Sequence, residues 1–299
     1  FAELHRIETL VVVLKKNANI ALRINPEKIF REFAIKMGGR PSQFGIDEED
    51  VIGFFEVLKK NKHCNFRGVH IYSGTQCLCE RALIDNALNT LDIASRLADE
   101  TNIPVQRINV GGGFGIPYYE GQNPIDPEKV CGALKSMFSA LHKKRGMGST
   151  SGIVELGRYL LAQSGVYLTT VLDVKKSRDR TYVVLDGGMN HHLPASGNFG
   201  QVIRKNYQVS NLSLSGQASE TEVTLVGPLC TTIDIMANRI KMVETKIGDI
   251  IAFWNSGAYA YTASPLQFLS HPLPPEVIVD GNAITVTRNN QIVDSMNDD

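Results

Sequence analysis

Apolar and polar positions follow two rhythms along the chain, and the change between them falls near residue 163. Before it, short β-branched runs alternate with longer segments of helical period. Strands are predicted over residues 20–25, ended by Pro26, and over 68–73, 107–110 and 152–155. Asp47 is predicted to cap a helix that buries Val51, Phe54, Phe55 and Leu58. A second helix carries Ile84, Ala87, Leu88, Leu91 and Leu97 on one stripe and stops near Pro104. A third opens at Asp126-Pro127, with proline in the first helical position, and buries Val130, Leu134, Met137, Phe138 and Leu141. Lys143, Lys144, Arg145 and Gly146 close it, basic charge facing the helix dipole and glycine supplying the left-handed cap. Strands so far apart exclude a hairpin meander and imply βα units with parallel strands.

Past residue 163 the runs are short and alternating. Strands are predicted over 166–173, 182–186, 222–226 and 249–254, with a charged turn over 175–180. Residues 277–279 and 283–286 flank Asp280-Gly281-Asn282, a hairpin signal. This half is expected to be mostly antiparallel β, with a loop over 198–219 and a frayed polar tail from Asn289. The expected division is therefore residues 1–162 and residues 163–299.

Composition narrows the function classes. The 299 residues carry 31 basic and 31 acidic side chains, so no nucleic-acid or membrane surface is indicated. No apolar run reaches membrane-spanning length. The five cysteines, Cys64, Cys77, Cys79, Cys131 and Cys230, are an odd and scattered set, which suits free thiols in a reducing, cytoplasmic compartment. Cys77 and Cys79 read as packed thiols, and Asn190-His191-His192 as a polar loop, so no metal site is expected.

Parallel βα units place function at the carboxyl ends of their strands. Those ends carry Arg23, His70 with Ser73, Gly111 to Gly113, and Glu155 with Arg158. Val110-Gly111-Gly112-Gly113-Phe114-Gly115 follows an apolar run, so a buried strand breaks there into a loop whose N–H groups can cradle an anion. A tight βα turn without a ligand is the plainer reading. Plainer readings also exist for His70 as a core histidine, Cys230 as an inert buried thiol, Glu155 as the partner of Arg158, and Tyr259 as a packed aromatic.

A set of motifs in one order covers nearly the whole chain. It comprises Leu22-Arg23-Ile24-Asn25-Pro26, Gln43-Phe44-Gly45-Ile46, His70-Ile71-Tyr72-Ser73-Gly74, the glycine triplet and Glu155-Leu156-Gly157-Arg158. It continues with Asp186-Gly187-Gly188-Met189, Gly227-Pro228-Leu229-Cys230 with Asp234, and Gly257-Ala258-Tyr259. In these the chain resembles the fold-type III pyridoxal-phosphate decarboxylases, the ornithine and diaminopimelate decarboxylase family. The resemblance implies a (β/α)8 barrel, of TIM type, joined to a β domain, pyridoxal 5'-phosphate as cofactor, and a homodimer with shared active sites. It implies that Gly111, Gly112, Gly113, Ser73, Arg158 and Tyr259 hold the phosphate. Glu155 would accept a hydrogen bond from the pyridine nitrogen, His70 would stack on the ring, and Cys230 would protonate the carbon that loses CO2 in the neighbouring subunit's site.

Three departures shape the expected activity. The family's cofactor lysine precedes the Arg-x-Asn-Pro segment, where Lys15 and Lys16 look like solvated helix-end charges. The chain, which opens on Phe1, is therefore expected to begin inside the barrel without its first strands, and no lysine is nominated. Thr231 follows Cys230 where diamine-forming members carry an acid, which argues against ornithine, lysine or diaminopimelate as substrate. Residues 187–196 and 268–272 look closer to the branch that acts on unusual or carrier-protein-tethered amino acids. Gln43 stands where the family has lysine, so an intersubunit ion pair with Asp234 is not expected. The leading expectation is a decarboxylase of a non-diamine or carrier-bound amino acid. A non-catalytic relative that binds a partner subunit, and a barrel enzyme acting on a phosphorylated sugar, are the alternatives.

Overall fold

The computed structural model describes residues 1–199, 201, 203–213 and 219–289, so the tail from residue 290 and parts of the expected 198–219 loop lie outside the described residues. Two compact units form, one of residues 1–117 and 123–159, the other of residues 118–122 and those from 160 onward.

The first unit opens with helix α1 (Ala2–Leu14), and Lys15 closes it in the left-handed conformation, exposed as is Lys16. Then come β1 (Ala18–Asn25), β2 (Ile35–Lys36), β3 (Ile46–Asp47), α2 (Val51–Leu58), β4 (Cys64–His70) and β5 (Gly74–Thr75). Helix α3 (Glu80–Thr101), β6 (Arg107–Asn109), α4 (Pro127–Leu141) and β7 (Ser151–Ile153) follow, and α5 (Gly157–Leu161) begins in this unit and ends in the second. The main sheet has the order β3-β1-β4-β6-β7 and every pairing in it is parallel. From β1 through β4 and β6 to β7 each strand joins on the same side, so the sheet winds in one direction. β2 and β5 make a separate short antiparallel ladder.

One face of the sheet is apolar. Leu22, Ile24, Val69, Ile71, Ile108 and Val110 pack with Leu4, Phe54, Phe55, Leu91, Ala94, Leu97 and Leu141 from the four long helices. Burial of this face supplies the main driving force, roughly 25 cal/mol per Å² of apolar surface removed from water. Asp126 caps α4 as expected, its carboxylate accepting from the N–H groups of Glu128 at 3.0 Å and Lys129 at 3.3 Å. Gly146, with φ of 73°, makes the left-handed turn after α4.

Two expectations in this unit are corrected. Asp47 does not cap α2: its carboxylate accepts from Asn25 Nδ2 at 2.5 Å, and the helix starts at Val51 after a 3-10 turn. Leu88 is not on the buried stripe of α3, being 43% exposed. The seam runs instead through Ala87, Leu91, Ala94 and Leu97, with the buried polar pair Asn86 and Thr90 among them.

The second unit is built on a six-stranded sheet of β8 (Tyr167–Ser177), β9 (Arg180–Leu185), β10 (Val209–Asn211), β11 (Glu220–Val226), β12 (Ile235–Val243) and β13 (Ile250–Phe253). Its order is β10-β13-β8-β9-β11-β12. The sheet is mixed rather than wholly antiparallel, because β9 and β11 run parallel. The expected charged turn over 175–180 is mostly strand, with only Arg178-Asp179 between β8 and β9. The expected loop over 198–219 contains β10, and β12 was not anticipated. The hairpin around Asp280-Gly281-Asn282 forms as β14 (Glu276–Asp280) and β15 (Ala283–Arg288).

Asn190-His191-His192 is a tight turn in which both histidines reach distant partners, while Asn190 Nδ2 is buried without one among the described residues. His192 is fully buried, Nδ1 accepting from Ala195 N at 3.2 Å and Nε2 facing Ser256 Oγ at 2.9 Å. Since Nδ1 must accept, the ring is the neutral tautomer with its proton on Nε2. Burial pushes its pKa down to about 3. His191 faces the carbonyl of Pro272 through Nε2 at 2.9 Å and the hydroxyl of Tyr167 through Nδ1 at 3.2 Å.

The seam of α3 predicts that Leu91→Ala costs about 2–5 kcal/mol by urea unfolding, whereas Leu88→Ala stays within about 0.5 kcal/mol. His192 predicts an acid sensitivity. The unfolded chain takes up its proton below about pH 6.5 and the folded ring resists until about pH 3. Stability therefore falls with pH across that window, by up to about 1.4 kcal/mol per pH unit from this group. His192→Asn, which keeps an acceptor for Ala195 N–H, lowers overall stability but flattens the slope in a pH series of unfolding curves.

Candidate active site

Strand register sets the site. Arg23 pairs with His70, His70 with Asn109, and Asn109 with Ile153, so these positions form one row across the parallel strands. Alternation turns Leu22, Val69 and Ile108 to the helix-packed face and leaves Arg23, His70 and Asn109 on the other, all three half-buried. Glu155 lies two residues beyond the end of β7, on coil rather than in the strand as expected, with its side chain 44% exposed.

The glycine loop closes over this row by direct contact of main chains. A Cβ on Gly111 would stand 2.5 Å from Ile71 O, one on Gly112 2.0 Å from Glu155 O, and one on Gly113 2.2 Å from Gly74 O. Gly111 and Gly113 also have φ of 76° and 83°, a region L side chains avoid. Glu155 N donates to Gly111 O at 2.8 Å, and Cys77 N to Gly113 O at 2.8 Å. The N–H of Gly111 is committed to Asn109 Oδ1 at 2.9 Å. Among the described residues the N–H groups of Gly112 and Gly113 have no acceptor, so these two are left for an anion.

Glu155 Oε1 accepts from Asn109 Nδ2 at 2.8 Å and stands 3.5 Å from His70 Nε2. Among the described residues no lysine or arginine pairs with Glu155, so the expected alternative of an Arg158 salt bridge is not formed. His70 Nε2 is buried without a hydrogen-bond partner. Burial lowers the His70 pKa, Glu155 raises it and Arg23 lowers it, with a net downward shift. The Arg23 guanidinium lies over the Phe44 ring at 4.5 Å and the Tyr72 ring at 6.0 Å. Ser73 is buried and its hydroxyl donates to Asn86 Oδ1, while Asn86 Nδ2 donates to Val110 O at 3.2 Å. Arg158 lies half-buried in the first turn of α5.

Two residues of this edge, Asn109 and Asn86, were not anticipated. Each had a signal: Asn109 is a polar position opposite Ile108 at a strand end, and Asn86 is an amide inside the apolar stripe of α3.

In the second unit, Asp234 is the organising side chain. Its carboxylate is buried and accepts from Met189 N at 2.7 Å and Leu229 N at 3.0 Å. Gly188 and Gly227 admit it: a Cβ on either would stand within 2.3 Å of a carboxylate oxygen. Burial raises the Asp234 pKa and the two N–H donors oppose that shift. The carboxylate thus ties the 186–189 turn to the 227–230 turn, where Cys230 is exposed and free. Tyr259 is 42% exposed and φ of 66° places it in the left-handed region, with its ring 6.0 Å from that of Phe199.

Residues 33–257 match a family model described as "Pyridoxal-dependent decarboxylase, C-terminal sheet domain". The chain is 36% identical over 297 residues to an L-glutamyl-[BtrI acyl-carrier protein] decarboxylase of Niallia circulans, covering 98% of this chain and 69% of the relative. It is 30% identical to a 2-[(L-alanin-3-ylcarbamoyl)methyl]-2-hydroxybutanedioate decarboxylase of Staphylococcus aureus, covering 91% of this chain and 68% of the relative. The crystal structure of diaminopimelate decarboxylase from Helicobacter pylori complexed with L-lysine superposes with a TM-score of 0.84 at 27% identity, covering 97% of this chain and 68% of that one. The parallel sheet with its glycine loop, the mixed sheet and these likenesses lead to one assignment: the chain belongs to the fold-type III pyridoxal-dependent decarboxylases, the ornithine, diaminopimelate and arginine decarboxylase family.

Proposed function

We propose that the protein removes CO2 from an amino acid that is not a diamine precursor, with a glutamyl group tethered to an acyl-carrier protein as the leading candidate. In this reading residues 1–162 belong to a (β/α)8 barrel, residues 163–299 to a β domain, and two copies share their active sites. The observation that carries the reading is the polar sheet edge, where the open N–H groups of Gly112 and Gly113 adjoin the Glu155 carboxylate and the unpartnered His70 Nε2. Those groups fit pyridoxal 5'-phosphate: N–H donors suit a phosphate, and a carboxylate suits a protonated ring nitrogen.

When bound, the pyridoxal ring supplies an electron sink for the pair left by departing CO2. The residues of this chain do the rest. Gly112 and Gly113 would donate to the phosphate, with Gly111 shaping the turn and Arg158 and Tyr259 as further donors; Ser73, whose proton goes to Asn86 Oδ1, would support the loop through Asn86 instead. Glu155 holds the proton on the pyridine nitrogen. His70, neutral because burial and Arg23 outweigh Glu155, would pack on the ring without adding positive charge there. Cys230, on a turn held by Asp234, delivers a proton to the carbon that lost CO2.

Substrate choice rests on Thr231. A hydroxyl in place of the acid next to Cys230 forgoes a charge-assisted hydrogen bond to a distal ammonium, about 1.5–3 kcal/mol. The names of the two relatives, one on a carrier-bound glutamyl group and one on a hydroxybutanedioate conjugate, point the same way.

Mass spectrometry of the cofactor-loaded protein is expected to detect CO2 loss from carrier-bound glutamate and none from ornithine, lysine or diaminopimelate. Turnover of any of those three at a comparable rate overturns the substrate assignment. Glu155→Gln is expected to lower turnover on the order of 100-fold or more, the scale of losing one preorganised electrostatic contact. Cys230→Ala is expected to slow product formation and to divert the reaction to side products. Unchanged rate and product would remove Cys230 from the chemistry.

A further inference from the structure

Asn109 belongs to none of the motifs discussed above, yet its amide joins two of them. Oδ1 accepts from Gly111 N at 2.9 Å, and Nδ2 donates to Glu155 Oε1 at 2.8 Å. A backbone N–H can only donate, so the amide oxygen must face Gly111 and the amide nitrogen must face Glu155. The main chain therefore sets the polarity of the bond, and the group opposite Nδ2 must be an acceptor. Asn109 is itself anchored in β6, paired to His70 on one side and to Ile153 on the other. Glu155, in contrast, sits on coil with its side chain 44% exposed.

We propose that Asn109 is a positioning residue that fixes the direction of the Glu155 carboxylate and couples it to the glycine loop. What the carboxylate is aimed at rests on the reading in Proposed function; the coupling of positions 109 and 155 does not. The residue type suits the task. A lysine or arginine would neutralise the acid, and an aspartate would compete with it for a proton. A neutral amide orients one oxygen and leaves the charge for a ligand.

A reversal of the pair tests this. Asn109→Asp keeps an acceptor for Gly111 N–H but sets a second carboxylate against Glu155 Oε1. Asn109→Asp combined with Glu155→Gln restores one hydrogen bond with its polarity reversed. At pH 7 the single N109D variant is expected to melt several degrees below the wild type, with a smaller deficit at pH 5, where the two acids share a proton. The double variant is expected to recover most of that loss. Asn109→Ala is expected to weaken pyridoxal 5'-phosphate about tenfold in an absorbance titration, and E155Q to weaken it at least as much.

If N109D melts with the wild type, or E155Q does not rescue it, positions 109 and 155 are uncoupled and the inference fails. Wild-type cofactor affinity in N109A, with E155Q impaired, also sinks it, because the carboxylate then needs no positioning. Wild-type affinity in E155Q instead overturns the reading in Proposed function, and the 109–155 coupling survives the rescue experiment on its own.

Discussion

Main chain lies against main chain at Gly112 more closely than any side chain permits, and the polar edge of the first unit depends on that contact. With a Cβ 2.0 Å from the Glu155 carbonyl, no other residue fits without moving the strand ends apart. Gly68 repeats the requirement one strand earlier, where a Cβ would stand 1.8 Å from Arg107 O. The hydrogen bond from Glu155 N to Gly111 O follows from the same approach, and it fixes the base of the acid relative to the loop. Packing of the helices on the apolar face holds the strands in register. The missing side chains then let the opposite, polar groups converge.

The second unit solves a comparable problem with a buried acid. An ionised carboxylate without partners is costly to bury, and the charges that favour ionised Asp234 come from His271 and His191 rather than from a paired lysine or arginine. Two backbone N–H donors stand in for one, and the two flanking glycines allow them to reach. His192 follows the same principle, with each ring nitrogen facing one group and no charge required. At Asp234 the main chain, rather than a paired lysine or arginine, meets the carboxylate. That makes glycine placement, more than ion pairing, the feature that ties distant motifs together.

Elements whose signals are local were legible. The α4 start at Asp126-Pro127, the hairpin at Asp280-Gly281-Asn282 and the strand ends at Pro26 and Gly111 all depend on backbone preferences within a few residues. Asp47 was misread because its carboxylate finds Asn25, far away in sequence, a better partner than the helix end. Strand β12 was missed because its alternation breaks at Arg239, where φ of 51° and a register shift opposite Val223 mark a bulge. The parallel pairing of β9 with β11 leaves no turn signal at all, since the partners are not joined by a hairpin. At the site, motif residues were legible by type and order, but hydrogen-bond direction was not. Only coordinates reveal that Gly111 gives its N–H to Asn109, which narrows the open donors to Gly112 and Gly113.

Charge along the row leaves the acid at position 155 without a paired cation among the described residues. Arg23, the nearest cation in the row, turns its guanidinium over the rings of Phe44 and Tyr72, where the π faces engage it. His70 stands within ion-pair distance of Glu155, but burial and the Arg23 charge hold its pKa down, so near neutral pH it brings a ring and no charge. Asn109 contributes a donor without a charge. His70 and Asn109 thus approach the Glu155 carboxylate without pairing a positive charge to it. On the proposed function that arrangement would help keep a proton on a heteroaromatic nitrogen, because a lysine or arginine paired to the acid would lower the nitrogen's affinity for its proton.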